Sequence, residues 1–347
     1  MIREAPLASE RRELSDLKEL RRVLVKGGYA AAGARLLPLH GGVSSLAAVV
    51  DDAGTQWVVK TPRGRLEVAD EWLADRCRGA HEAAMLAHLG GALGPVKVPR
   101  LLFFDEERVI LGEELISGTV PGGPVPTYKE ELLEGRACAD VAAALGAAAT
   151  VLHRMAPPST LGGDRPREMF DALRLDPYYR ATARRRPDVS GPLMDLISET
   201  IASSPRCTVH GDFTPKNVLV TGHMPALLDW EVAHPGDPSF DLGVFTAHLA
   251  LKALRDHPPG GHMPPLAAAR VFWATYNGPA DRSRSFRHAG AVMLARLYGK
   301  SPVDYLHGSA ARHRSHMVGE RMLRSDNADI DTLLDAVRSV LRAPVEI

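Results

Sequence analysis

The chain has 347 residues, and 42 Lys and Arg balance 42 Asp and Glu for a formal net charge of zero; that length predicts two lobes or domains, and the neutrality argues against a general nucleic-acid binder. Cys77, Cys138 and Cys207 are too widely spaced for a metal or redox motif and read as three buried thiols in a reducing cytosol. No apolar signal core follows Met1, and the run Val141–Ala149 is too short and Ala-rich to span a bilayer, so a cytoplasmic protein without membrane or nucleic-acid partners is expected.

Residues 9–26 place Leu14, Leu17, Leu20 and Leu24 at helical spacing and predict an amphipathic helix. Residues 35–60 read as strand, Gly-rich turn, strand, hairpin and strand, the hairpin lying at Asp51–Gly54. Residues 70–89 read as one helix or two, ending at Gly90 and Gly91. Strands follow at 100–104 and 108–116. The Pro- and Gly-rich stretch 117–126 is the clearest linker signal, so lobes are expected at 1–116 and 117–347, with a linker over 117–127. Beyond it a long helix is expected over 130–155. Residues 166–203 read as helical, with interruptions at Pro177, Pro187 and Pro192. A strand-rich first third before a helix-rich remainder predicts a bilobal α+β fold, with a nucleotide in the cleft between lobes.

The segment His210-Gly-Asp212-Phe-Thr-Pro-Lys216-Asn217 carries the strongest chemical signal. Val218–Thr221, a turn at Gly222–Pro225 and Ala226–Asp229 predict a hairpin that makes Asn217 and Asp229 neighbours. A carboxylate at Asp212 can accept the proton of an attacking hydroxyl. The Asn217 amide oxygen and the Asp229 carboxylate can hold Mg²⁺ against nucleotide phosphates. His210 shapes the loop. Lys216 either contacts the transferring phosphate or points to solvent. Glu231 is expected two residues along the same strand as Asp229 and on the same side, helping the metal through water or supporting the loop. Asp241 caps the next helix, which begins near Ser239 or Asp241, or braces the loop. Pro258–Pro265 reads as a loop that closes over substrate, and the remainder as helical to Leu341.

In the first lobe, Gly41, Gly42, Ser44 and Ser45 form a turn suited to covering phosphates. Lys60 ends an apolar strand and offers a compact charge for phosphate. Glu82 is its expected partner, with Glu67 and Glu71 as rivals. The strand edge within Val109–Ile116, just before the linker, offers backbone N–H and C=O groups able to read adenine.

Together these residues resemble the aminoglycoside phosphotransferase and choline kinase family, a branch of the protein-kinase-like fold. The resemblance runs from about residue 35 to about residue 250. It rests on the His210 to Asn217 loop, Leu227-Leu-Asp229-Trp-Glu231 and Gly236-Asp-Pro-Ser-Phe-Asp241-Leu, in that order, with Leu152-His153 before them. It implies phosphorylation of a small-molecule hydroxyl using ATP or GTP and Mg²⁺. It also implies Asp212 as base, Asn217 and Asp229 on the metal, Lys60 with Glu82 at the phosphates and Glu114 to Ile116 as hinge. Thr214 and Lys216 stand where such loops often carry His and Gly, and Glu113 stands where an apolar residue is usual. The excess of Arg and Lys between residues 280 and 324 predicts a neutral or anionic acceptor, such as a metabolite or non-cationic antibiotic. The alternatives are a catalytically silent nucleotide-binding module of the same fold and an aminoglycoside-modifying resistance kinase.

Overall fold

The computed structural model describes residues 13–14, 16–39, 44–117, 125–203, 207–222, 224–255 and 263–343. The first helix, α1 (Leu17–Lys26), starts later than its leucine spacing predicted. Asp16 caps it by accepting the Glu19 N–H at 2.8 Å. Leu20 and Leu24 on its inner face join Val50, Trp57, Val59 and Ile110 in a small core.

That core rests on β1 (Arg35–Pro38), β2 (Ser45–Asp52) and β3 (Thr55–Pro62). Ala53 and Gly54, at φ 52° and 91°, make the tight β2–β3 turn, where both central residues need the left-handed region. The Gly-rich turn at Gly41 and Gly42 lies outside the described residues. Next comes α2 (Arg78–Leu89), which ends at Gly90 as expected but begins eight residues late. Residues 70–77 are not helical. Trp72 is buried and donates to the Ala172 carbonyl at 3.1 Å, and Leu73 bridges to Arg65. Docking of one side chain against the other half of the chain overrides local helix propensity here.

β4 (Ala92–Leu93), β5 (Val96–Lys97), β6 (Leu101–Asp105) and β7 (Ile110–Glu114) follow. The first-lobe sheet is antiparallel in the order β1-β2-β3-β7-β6. Of the expected linker, residues 118–124 lie outside the described residues.

The helix expected over 130–155 is two helices, α3 (Tyr128–Leu133) and α4 (Ala139–Arg154). Thr127 and Glu130 form a capping box at the start of α3. Gly135, at φ 79°, separates the two helices. Then come α5 (Arg165–Phe170), a π-helical stretch over Asp171–Arg180, α6 (Ala181–Arg185) and α7 (Ser190–Ala202). Pro177 does not interrupt this run. It sits inside the π-helical stretch, whose wider turn accommodates a residue with no N–H to donate.

The segment around the His210–Asn217 motif holds β8 (Cys207–Val209), β9 (Val218–Val220), β10 (Pro225–Leu227) and β11 (His234–Gly236). The hairpin pairs Leu227 with Val218, as the turn residues predicted. β10 also pairs in parallel with β5 through Ala226 and Lys97, so the sheet β4-β5-β10-β9 joins the two halves of the chain. Helices α8 (Ser239–Leu254), α9 (Pro264–Thr275), α10 (Arg282–Tyr298), α11 (Ser309–Leu323) and α12 (Ile330–Arg342) complete the larger lobe. Every residue of α8 is buried, so it is the axle around which that lobe packs. The fold is the expected α+β, kinase-like arrangement of a β-rich first lobe and a mainly helical remainder. Cys77 and Cys207 are buried, but Cys138, just before α4, is exposed, contrary to the reading of three buried thiols. Among the described residues no helix is long and apolar enough to cross a membrane.

Candidate active site

The loop after β8 is held by its backbone. Asp241, in the first turn of α8, accepts the N–H groups of His210 at 2.7 Å and Gly211 at 2.9 Å. Its Oδ2 also meets His153 Nε2 at 3.2 Å, and His153 Nδ1 meets the Tyr276 hydroxyl at 3.0 Å. Burial works against the Asp241 charge, but His153 and the backbone donors outweigh it and hold the carboxyl below its usual range. A carboxylate only accepts, so His153 donates to it from Nε2. Asp241 therefore braces the loop from inside the helix rather than capping it, and Asp237, two residues before the helix, accepts the Ser239 N–H at 3.0 Å. The sequence motif marked Asp241 but left its role open. His153 had only its place in the motif pattern to mark it.

His210 shapes the loop as a neutral side chain. Its Nδ1 accepts the Asp212 N–H at 3.1 Å, which leaves Nε2 to donate to the Leu228 carbonyl at 3.1 Å. Burial lowers its pKa, in keeping with that neutral form. Gly211, at φ 76°, has no room for a side chain: a Cβ there would lie 2.6 Å from the Val232 carbonyl oxygen. Gly211→Ala must push the loop from its brace. A displacement near 1 Å costs about 10²-fold in rate, so steady-state turnover should fall by about that factor while the melting temperature drops only modestly.

Asp212 is buried and collects three partners. Arg174 reaches it at 3.2 Å from the π-helical stretch, Lys216 at 2.9 Å, and Asn217 Nδ2 donates to its Oδ2 at 2.9 Å. Arg174 also donates to the Gly211 and Leu173 carbonyls at 2.8 and 2.7 Å, so its own position is fixed. Burial alone would raise the Asp212 pKa. Arg174 and Lys216 overcome it and hold the carboxyl well below the usual range. Lys216, left between phosphate and solvent by the sequence, has an exposed stem and places its ammonium on Asp212. Arg174 carried no sequence signal, because it lies 38 residues before its partner in a segment with no motif.

Asn217 uses its amide nitrogen twice, on the Asp212 carbonyl at 3.0 Å and on the carboxylate. Both partners are acceptors, so the amide oxygen faces elsewhere and remains an acceptor. The Leu228 N–H bonds the Asn217 carbonyl at 2.8 Å, which sets Asp229 one residue beyond that bond. Asp229 adopts φ 70°, and β10 ends at Leu227. The expectation that Asp229 and Glu231 share a strand face is therefore corrected. The left-handed turn at Asp229 re-aims the chain, and Glu231 pairs with Arg78 Nε at 3.0 Å. Asp229 itself makes no hydrogen bond or ion pair among the described residues.

Arg78 ties the first lobe to this loop. It is fully buried at the start of α2 and donates to the Ser44 carbonyl at 2.5 Å and the Arg63 carbonyl at 2.6 Å as well as to Glu231. Ser44, a predicted phosphate-loop residue, thus has its carbonyl committed to Arg78 and to the Arg63 N–H at 2.9 Å. Ser45 opens β2 opposite Pro62.

Lys60 meets Glu82 at 3.0 Å and Glu113 at 2.7 Å. The rivals lie elsewhere: Glu67 pairs with Arg63 at 3.0 Å, and the Glu71 carbonyl accepts from Lys300. Glu113 reaches Lys60 because β3 pairs with β7, Val58 lies opposite Glu113, and Lys60 is two residues along on the same face. Its misfit in an apolar strand was the available signal. Burial works against the Lys60 charge, but Glu113, Glu82 and Asp229 hold its pKa well above ordinary. Burial, reinforced by Glu113 and Asp229 against the pull of Lys60, pushes the Glu82 carboxyl up to about 8.

In the nucleotide-free protein the folded state therefore keeps a proton on Glu82 that the unfolded chain loses above its ordinary pKa of 4.5. The Glu82 contribution to stability must fall as pH rises across that window, because there the folded state holds the proton, while His81, His234 and His288, whose pKa values are lowered by burial, contribute in the opposite sense. Glu113→Gln removes one rival carboxylate and should flatten the fall. Urea midpoints of wild type and Glu113→Gln at about pH 5 and about pH 8.5 measure it: a variant whose midpoint changes between the two pH values no differently from wild type would contradict the account.

At the expected hinge, the Glu114 N–H is already bonded to the Arg100 carbonyl at 2.9 Å, and its side chain pairs with Arg100 at 3.0 Å. Glu114 thus has no N–H to offer a base. Ile116 follows, buried, just before residues outside the described set. Most of the Pro258–Pro265 loop is also outside it.

Much of the basic excess between residues 280 and 324 is internal bracing. Arg284 pairs with Asp237 at 2.6 Å, Arg287 with Glu199, and Arg324 with Glu320 at 3.0 Å.

The family model described as the phosphotransferase enzyme family matches residues 35–262. No curated protein matches the chain. Among solved structures, the chain is similar to a choline/ethanolamine kinase family protein from Mesorhizobium loti, at 18% identity, TM-score 0.52, and 93% and 99% coverage of this chain and that one. It is also similar to an ethanolamine kinase from Plasmodium vivax, at 11% identity, TM-score 0.50, and 96% and 92% coverage. A GDP complex of an aminoglycoside 2'-phosphotransferase matches at 12% identity, TM-score 0.50, and 94% and 96% coverage. At these identities the likeness is one of fold.

Proposed function

The chain belongs to the phosphotransferase enzyme family, and from that premise we propose that it moves the γ-phosphoryl group of ATP or GTP to a hydroxyl of a small molecule. The observation that carries this reading is the buried, ionised Asp212, gripped by Arg174, Lys216 and Asn217 and set beside an unpaired Asp229. Asp212 orients the acceptor hydroxyl and takes its proton as the new oxygen–phosphorus bond forms and the bond to the departing diphosphate breaks. The proton then passes to solvent. Lys60, fixed by Glu82 and Glu113, holds the nucleotide phosphates. Lys216, on its exposed stem, exchanges Asp212 for the transferring group.

The donor set fits a hard divalent cation. Asp229 is a carboxylate with no partner among the described residues, and Asn217 leaves its oxygen free. These two residues would hold Mg²⁺, whose charge, when bound, offsets that of the phosphates. The GDP complex among the structural neighbours supports nucleotide in the cleft. The base is read by the Ile116 backbone and the Glu114 carbonyl, since the Glu114 N–H is taken. The lobe boundary belongs at residues 117–127. The acceptor is not a polycation, because Arg and Lys outnumber Asp and Glu between residues 280 and 324.

Mg²⁺-dependent nucleotide turnover, measured against hydroxylated metabolites and antibiotics with Asp212→Ala as control, tests the proposal. Turnover stimulated by one compound and lost in the variant is expected. Nucleotide binding without stimulated turnover across a broad panel would favour a silent module. Strong phosphorylation of kanamycin-like compounds would sink the charge argument.

A further inference from the structure

Next to the candidate catalytic loop lies a group of cations that the chemistry above does not use. Lys252, in the last turn of α8, is 1% exposed. Its ammonium has three donors and, among the described residues, makes one hydrogen bond, a 3.3 Å contact to the His248 carbonyl. Among the described residues no carboxylate lies within ion-pair distance of it. It sits 5.0 Å from the centroid of the Tyr305 ring, and Lys129 sits 5.9 Å from the same ring. The Tyr305 hydroxyl is buried without a hydrogen-bond partner.

Arg296, on α10, belongs to the same group. It donates to Ser301 at 2.9 Å, has no carboxylate partner among the described residues, and keeps its Nε buried and unbonded. Its guanidinium lies 5.8 Å from the Tyr178 ring, and Arg174, which grips Asp212, lies at the same distance from that ring. Arg296 also donates to the Tyr178 hydroxyl at 3.4 Å, so Tyr178 and Arg174 link this group to the proposed base.

A buried ammonium facing other cations is costly unless something compensates it. Burial, together with Lys129 and Arg296, drives the Lys252 pKa well below ordinary, and Asp304, which pairs with Lys129 at 3.0 Å, only partly offsets this. Replacement by a similar apolar side chain would remove that cost, so packing gives no reason for a lysine here. An anion would satisfy Lys252, the Arg296 Nε and the Tyr305 hydroxyl together.

We propose that Lys252, Arg296 and Tyr305 form an anion subsite of the acceptor pocket, so that the molecule phosphorylated here carries a carboxylate or phosphate besides its reacting hydroxyl. This rests on the phosphotransferase reading above and narrows its acceptor to anionic alcohols.

The test uses the full chain saturated with MgADP and titrates inorganic phosphate, reading calorimetry and melting temperature. Wild type should bind phosphate saturably. Lys252→Met should melt higher than wild type without phosphate, since it removes a buried polar group with unsatisfied donors, and should bind phosphate at least about tenfold more weakly. Arg338→Met, at an exposed position of α12, is the surface control. In turnover, hydroxy acids should stimulate ADP release far more than their primary amides, and alcohols bearing a phosphomonoester show which anion is preferred. Phosphate binding unchanged in Lys252→Met, absent phosphate binding in MgADP-loaded wild type, or stimulation by the amides alone overturns the subsite. Failure of wild type to bind MgADP overturns the phosphotransferase reading and the subsite with it.

Discussion

Asp212→Asn should reduce acceptor-stimulated turnover by about 10²–10⁴-fold, the range associated with a positioned general base. The substitution preserves shape but ends proton acceptance. It leaves Lys60, Glu82 and Asp229 untouched, so MgADP affinity should stay within a few-fold of wild type. A parallel fall in both would assign Asp212 to nucleotide binding.

The same variant tests the electrostatics. The Asp212 pKa is depressed in the folded protein by Arg174 and Lys216, against the effect of burial. Its contribution to stability is therefore fully present above the unfolded carboxyl pKa and is lost as pH falls through the folded value. Wild type should lose stability steeply in acid, and Asp212→Asn should lose less over the same interval. At neutral pH the variant should be less stable by about 1–3 kcal/mol. Arg174 loses a charged partner but keeps its bonds to the Gly211 and Leu173 carbonyls.

Lys60→Met should be damaging in two separable ways. It leaves Glu82 and Glu113 facing each other, both buried, with no cation between them. Removing one partner from a buried pair costs about 3–5 kcal/mol. Protonation of the stranded carboxylates limits that cost, so denaturant unfolding should show a larger deficit at high pH than at low pH. Turnover should also fall by about 10²–10³-fold, the usual penalty for losing one preorganised charge at a transferring group. The triple variant with Glu82→Gln and Glu113→Gln separates the effects. It should regain most of the stability and none of the activity. Recovery of both would mean that Lys60 serves only to neutralise its neighbours.

Glu113 shows where sequence reading reaches its limit. It was visible as an anomaly, a carboxylate in the apolar run Val109–Gly112, but its partner depends on the β3–β7 register. Arg78 and Arg174 were invisible, because an arginine in a helical stretch reads the same whether it points to solvent or into a cleft. The late start of α2 had a similar cause: Trp72 docks on the Ala172 carbonyl, a hundred residues away.

The sequence by itself determined the chemistry that is local along the chain. His210 to Asp229 span only a loop and one hairpin, and turn residues and strand alternation decide their geometry within a few residues. It also determined the α+β order of elements, because periodicity and Gly and Pro punctuation are local too. Tertiary structure alone decided which charges are buried and what they face. It placed Glu113 on Lys60, Arg174 on Asp212, Arg78 on Glu231 and Lys252 beneath Tyr305. The physical reason is that the energy of a charge depends on its dielectric surroundings and its nearest partners, and folding sets both by joining residues far apart in the chain.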